Sequence, residues 1–167
     1  MYTKGELTRE KIIRETRHLV SRKGFKDTSI SDIISATGLK KGSLYFHFSG
    51  KNALSLAILE KSRDEFMEFL DLSLVGDTQG ERLDNFFNEV MRFHKGTGFI
   101  GGCIFGNTAL EMSDKDKRVS VFIRKVFDEW TKKIRKTVKA AQKSKQVRDD
   151  ISAGILACSI VACIEGG

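Results

Sequence analysis

One stretch, T-S-I-S-D-I-I-S-A-T-G-L-K-K-G-S-L-Y-F-H-F-S-G-K at residues 28–51, constrains this chain more tightly than any other. Ser29 followed by Asp32 is an S-x-x-D capping signal, which opens a helix at Ser29. Ile30, Ile33 and Ile34 then recur at helical spacing, so one face of that helix is apolar. Gly38 stands where the helix must stop, because glycine takes the left-handed closing conformation without a Cβ clash. Leu39 turns back toward the core. A second short helix starts near Lys41, with Leu44 and Phe48, four apart, facing inward. Lys41, Ser43, Tyr45, Phe46 and His47 are left on or near its outward face, and Gly42 lets another backbone come close. Two short helices joined by a tight turn, the second basic and aromatic, form the helix-turn-helix pattern. Its outer groups can reach phosphates and base edges in a major groove.

The rest of the chain agrees with a helical setting. There is no proline in the 167 residues, and no run of strands with regularly spaced turn signals, so the expected class is all-α. Apolar spacing predicts a first helix from a cap at Thr8 to about residue 22, with Ile12, Ile13, Thr16, Leu19 and Val20 on one face. Lys23-Gly24-Phe25 ends it. A long fourth helix over about 51–72 carries Leu54, Ile58, Phe66, Phe69 and Leu70. Residues 76–80 break the chain. A fifth helix then carries Leu83, Phe86, Phe87, Val90, Met91 and Phe93, and 96–102 is a glycine-rich loop. A sixth helix runs from near Cys103 to near Ser113. A seventh, over about 115–143, aligns Val119, Phe122, Val126, Trp130, Ile134 and Val138. An eighth starts at Asp149 or Asp150 and is apolar nearly all round, so it must be buried.

Charge is unevenly shared. Residues 1–51 hold 11 Lys+Arg against 5 Asp+Glu, net +6, whereas the other 116 residues hold 18 against 17, net +1. The excess lies on the helix-turn-helix segment, which fits a nucleic-acid footprint better than a uniformly basic surface does. The basic run at 132–145 sits on a long amphipathic helix and reads as its solvated face. No eighteen-residue apolar run predicts a membrane span. The polar N-terminus lacks a signal-peptide core, so the expected location is the cytoplasm.

Over residues 24–54 the chain reads G-F-x-x-T-S-I-x-D-I-x-x-x-x-G-L-x-K-G-S-L-Y-x-H-F-x-x-K-x-x-L. In this ordered set it closely resembles the TetR family of bacterial transcriptional regulators. The likeness is specific over residues 7–60 and architectural beyond. It implies a three-helix DNA-binding domain at 1–50 and a helical effector-binding and dimerisation domain at 51–167. Such a protein is a ligand-responsive repressor, a homodimer released from a palindromic double-stranded operator by a small-molecule effector. Thr28 and Ser29 would hold a phosphate through hydroxyls and helix-N-terminal amides, and Tyr45 and Lys51 would also hold backbone. Lys41, Gly42, Ser43, Phe46 and His47 would meet base edges. Lys40 departs from the family, which often has a small hydroxyl residue there as a cap. A positive charge at a helix N-terminus is disfavoured by the dipole, and a nearby phosphate would offset that. The resemblance also places the eighth helix in a dimer interface and makes the chain short at its C-terminus, as expected of a truncated form.

An aromatic body suits an apolar or planar effector. Phe86, Phe87, Phe105, Phe127 and Trp130 are candidate lining residues, with Asn107 and Glu111 as polar contacts; ordinary helix-bundle core accounts for most of the rings. Gly96-Thr97-Gly98-Phe99-Ile100-Gly101 spells G-x-G-x-x-G, but a dinucleotide site needs that signature between a strand and a helix. Here a helix precedes it, so it reads as loop. Cys103, Cys158 and Cys163 show neither C-x-x-C nor histidine spacing, so no metal is expected and buried thiols are the default. No nucleophile–base pair or carboxylate dyad is visible, and neither catalysis nor a cofactor is expected. The alternatives are a non-specific DNA-binding protein and a nucleotide-binding enzyme built on 96–101.

Overall fold

The computed structural model describes residues 3–98 and 100–166. Among these the chain forms eight α-helices and no strand: α1 (Lys4–Asp27), α2 (Ile30–Thr37), α3 (Lys41–His47), α4 (Lys51–Ser73), α5 (Gln79–Gly96), α6 (Ile104–Met112), α7 (Lys117–Lys143) and α8 (Ala153–Gly166). No helix among the described residues is long and apolar enough to cross a membrane.

Helix α1 begins earlier than the apolar spacing predicts. Thr3, not Thr8, caps it: the Thr3 hydroxyl accepts from the Glu6 amide at 3.2 Å, and the Glu6 carboxylate accepts from the Thr3 amide at 2.7 Å. This T-x-x-E box is the same device as the one at Ser29. Thr8 lies inside the helix and donates its hydroxyl to the Lys4 carbonyl at 2.8 Å. At Gly24 the backbone swings to φ +80, which breaks the helix as expected before a last turn through Asp27.

Helix α4 is the spine, packing against α1 on one side and α5, α6 and α7 on others. Its Leu54, Ile58, Leu59 and Leu70 are fully buried. Arg17 and Glu65 pair α1 with α4, while Arg63–Glu129 at 2.7 Å and the Lys133–Asp71 pair bind α4 to α7. Helix α7 buries Val119, Ile123, Val126, Trp130, Ile134, Val138 and Ala141 on one stripe. Phe122 falls at the margin of that stripe and is half-buried. On α5 only Leu83 and Phe86 are buried, and Phe87, Met91 and Phe93 remain exposed.

Helix α8 starts at Ala153, after the predicted Asp149 or Asp150. Those two carboxylates are engaged by Lys145 and Arg148, and Gln142 donates to the carbonyls of Arg148 and Ile151 at 2.8 Å. Ser152 then serves the new helix, its hydroxyl accepting from the Ile155 amide at 3.3 Å. Ala153, Ala157 and Val161, four apart, are buried. The opposite face, with Ile155 at 61% exposure, is open. The expectation of burial on every side therefore fails within a single chain, because α7 covers one face only.

Candidate nucleic-acid interface

Helix α2 is closed at both ends. Ser29 and Asp32 form the reciprocal box: Ser29 Oγ accepts from the Asp32 amide at 3.1 Å, and Asp32 accepts from the Ser29 amide at 2.7 Å. Asp32 also accepts from the Ser29 hydroxyl at 2.7 Å and pairs with Lys23 Nζ at 2.7 Å. These donors, Lys23 first, hold its carboxyl far below the usual aspartate range. At the other end Gly38 takes φ +66 and donates to the Ile34 carbonyl at 2.9 Å. Ile33 is buried beneath.

Helix α3 is built the other way. Lys40 occupies its N-cap with no side-chain hydrogen bond to the helix. The helix is anchored by Leu44 and Phe48, both buried. At about 100° per residue, Lys41 and Tyr45 lie on one flank of the outward face and Ser43 and His47 on the other. The Lys41 ammonium stands 6.0 Å from the centre of the Tyr45 ring. Between the flanks runs a ridge of Gly42 and Phe46. Phe46 is 84% exposed, and its ring meets His47 edge-on at 5.2 Å. A Cβ at Gly42 would touch nothing within 4 Å. The seven residues expected around this helix, Lys40, Lys41, Gly42, Ser43, Tyr45, Phe46 and His47, thus share one outward surface.

The phosphate role expected for Thr28 and Ser29 through their hydroxyls is at odds with their bonding. Thr28 is 1% exposed and donates its hydroxyl to the Gly24 carbonyl at 2.7 Å. Both the amide and the hydroxyl of Ser29 are held by Asp32, whose charge also stands at the same helix end. A phosphate accepts only, so neither hydroxyl has a proton to offer it without breaking a bond. Lys51 Nζ donates to the Lys26 carbonyl at 3.0 Å, and an ammonium keeps further donors for a phosphate.

The backbone of Lys26 ties α1 to both α4 and α6. Its carbonyl receives Lys51 from α4, and its amide donates to Glu111 Oε2 of α6 at 2.9 Å. Glu111 fits because residue 24 is glycine: a Cβ there would lie 2.2 Å from Oε1. Glu111 was expected to meet an effector; tertiary packing instead turns it onto the backbone that leads into α2. Asn107 is likewise occupied, donating to the Gly101 carbonyl at 2.7 Å.

The expected effector rings separate into two groups. Phe105, Trp130 and Phe127 come together, joined by Phe66 of α4. Phe66 lies 4.9 Å from Trp130 and 5.9 Å from Phe105, and Phe127 stacks on Trp130 at 6.1 Å. Phe86 and Phe87 pair separately at 5.5 Å. Trp130 is 2% exposed, and its indole N–H has no hydrogen-bond partner among the described residues. A cavity of about 670 Å³ lies elsewhere, between α4 and α7, walled by Arg63, Met67, Lys132, Arg135, Lys136 and Lys139. None of the seven expected effector residues borders it.

The glycine motif follows α5 and precedes α6, without the strand a dinucleotide site requires; Phe99 within it lies outside the described residues. Gly101 packs near the Ser21 carbonyl of α1. The cysteines are less buried than expected: Cys103 is half-buried, and Cys158 and Cys163 are exposed on α8. Burial, and then the Glu165 carboxylate, push the Cys103 thiol up to about 12. It therefore stays protonated and a poor nucleophile.

Comparison with known proteins gives one answer along the whole chain. Residues 12–58 match the family described as bacterial regulatory proteins, tetR family, and residues 80–167 match the tetracyclin repressor-like C-terminal domain. A TetR transcriptional regulator from Chloroflexus aurantiacus superposes with a TM-score of 0.86 at 32% identity, covering 98% of this chain and 83% of that one. The regulatory protein TetR from Rhodobacter sphaeroides shares the fold with a TM-score of 0.88 at 24% identity, over 96% and 86% of the two chains. The HTH-type transcriptional repressor DhaR of Mycobacterium sp. strain GP1 is 24% identical over 160 residues, 95% of this chain and 79% of DhaR.

Proposed function

The chain belongs to the TetR family of bacterial transcriptional regulators, and from that premise we propose that it is a ligand-responsive repressor acting in the cytoplasm as a homodimer. The family consists of regulators, not enzymes; its members bind DNA operators and typically act as dimers with small-molecule effectors. Residues 1–50 form the DNA-binding part in this reading, and 51–167 the regulatory part. The observation that carries it is α3: an uncapped helix, anchored by Leu44 and Phe48, whose outward face is cationic, hydroxylic and aromatic. Two such helices, one per subunit, enter successive major grooves on one face of a palindrome. Lys40, Tyr45 and Lys51 hold phosphates, and Lys41, Gly42, Ser43, Phe46 and His47 face bases. The phosphate contact expected at Thr28 and Ser29 then falls to the amides of the α2 N-terminus other than those of Ser29 and Asp32, which hold each other's side chains.

The effector takes the place among Phe66, Phe105, Phe127 and Trp130. A buried donor without a partner costs about 1–3 kcal/mol, so a planar apolar molecule with one acceptor gains by meeting the Trp130 N–H. A shift of α6 there pulls on Glu111, and through the Lys26 peptide on the entry to α2. Effector and operator then favour different separations of the two recognition helices. The open face of α8 receives the second subunit.

The test is recovery of the genomic fragments the protein binds, followed by titration against those sites and random duplexes. Lys51→Ala should weaken all sequences alike and flatten the salt dependence. Ser43→Ala or His47→Ala should change preference at particular base pairs, by about 1–3 kcal/mol where a good contact is lost. Equal affinity for random DNA would make the protein a non-specific binder. Tight nucleotide binding by calorimetry would favour the enzyme alternative.

A further inference from the structure

The ridge of α3 presents carbon where its flanks present polar groups. Phe46 lies about 200° round the helix from the inward anchor Leu44 and about 40° from Gly42, four residues earlier. Gly42 and Phe46 are therefore the outermost pair, the first atoms a groove floor would meet. An aromatic ring 84% exposed in the middle of a basic surface leaves a large apolar area in water, which is unfavourable. Nothing in the fold requires it there: Leu44 and Phe48 already fill the inward positions, and the ring's recorded partner is the neighbouring His47 edge. Glycine at 42 is equally unexplained from inside. It destabilises a helix relative to alanine, and its would-be Cβ points into open space. Ring and notch together make an apolar step on an otherwise polar face.

Major-groove floors carry donors and acceptors at every base pair, and one kind of apolar group: the 5-methyl of thymine. A phenyl ring neither donates nor accepts. Against a cytosine N4 or adenine N6 amino group it would remove water without replacing the hydrogen bond, whereas against a methyl group both surfaces leave water with nothing lost. We propose that Phe46 is a specificity-determining residue that reads a thymine 5-methyl group, with Gly42 as the notch that lets the base edge approach the ring. This rests on α3 entering a major groove. It adds the identity of the atom that is read, and it requires a thymine (or a 5-methylcytosine) at the same place in each half-site.

The experiment uses the full chain and the tightest operator found by selection from a random duplex pool. Each thymine is replaced in turn by deoxyuridine, which removes the methyl and keeps every hydrogen-bonding group. One symmetric pair of replacements should weaken binding three- to fivefold per half-site, the worth of one buried methyl. Phe46→Ala should bind thymine and uracil operators alike with its salt dependence unchanged, and Phe46→Leu should keep part of the difference. The inference is overturned if every uracil operator binds like its thymine parent while selectivity over random DNA persists. It is also overturned if Phe46→Ala still distinguishes the two operators. Selection that yields no preferred sequence would instead defeat the docking of α3 itself.

Discussion

Helices α2 and α3 are neighbours of nearly equal length, and their ends are treated in opposite ways. On α2 every terminal device is internal: a reciprocal Ser29–Asp32 box, Lys23 paired to Asp32, and a left-handed Gly38. On α3 the N-cap is a lysine whose side chain makes no bond to the helix, and the second residue is a glycine with open space around it. The difference separates structure from function within one motif. A helix whose groups are satisfied at home is scaffold. A helix that leaves donors, charge and an apolar ring unsatisfied is stable only because Leu44 and Phe48 hold it, and its free groups are available to a partner.

The sharpest way to break this comparison is at the anchor. Leu44→Ala should cost about 2–5 kcal/mol of stability in urea unfolding, since a seven-residue helix has little stability of its own. A loss under about 1 kcal/mol would mean that α3 is held by more than its buried face. The two glycines come next, and should respond with opposite signs. Gly38→Ala forces a side chain into the left-handed region and should cost about 1–2 kcal/mol. Gly42→Ala should raise stability by about 0.5–1 kcal/mol while weakening operator binding. A shared sign in thermal unfolding would erase the distinction.

The caps offer a smaller contrast. Ser29→Ala should lose about 1 kcal/mol. Lys40→Ala should stay within about 0.5 kcal/mol of the parent and lower the salt slope of DNA binding by about one. Acid gives the smallest signal. Asp32 has a folded-state pKa below its unfolded one, so its contribution is present above the ordinary aspartate range and is lost as pH falls through and below about 3.8. Unfolding followed from pH 7 to pH 3 should show Asp32→Asn losing less stability on acidification than the parent. Parallel curves would show that the ion pair with Lys23 carries no stability.

What was legible in the sequence follows the same division. The Ser29 cap, the Gly38 stop, the inward Leu44 and Phe48 and the α7 stripe depend on residues within about four positions of one another. The Thr3 box is equally local, but it lies ahead of the apolar pattern of α1, which starts late and points to Thr8. The bond made by Glu111 is not local. Its partner, the Lys26 amide, is 85 residues away, and no local pattern carries that bond.

By itself, then, the sequence determined the helices, their order, the outward face of α3 and the family, because backbone hydrogen bonds and side-chain periodicity act over one or two turns. Packing alone decided that Glu111 braces the Gly24 bend, that Phe66 gathers Phe105 and Trp130, that the cavity between α4 and α7 is lined by lysines and arginines of α7 instead of phenylalanines, and that α8 leaves a face bare. Those contacts depend on where helices distant in the chain come to rest against one another. That placement minimises exposed apolar area over the whole molecule, so no short stretch of residues specifies it.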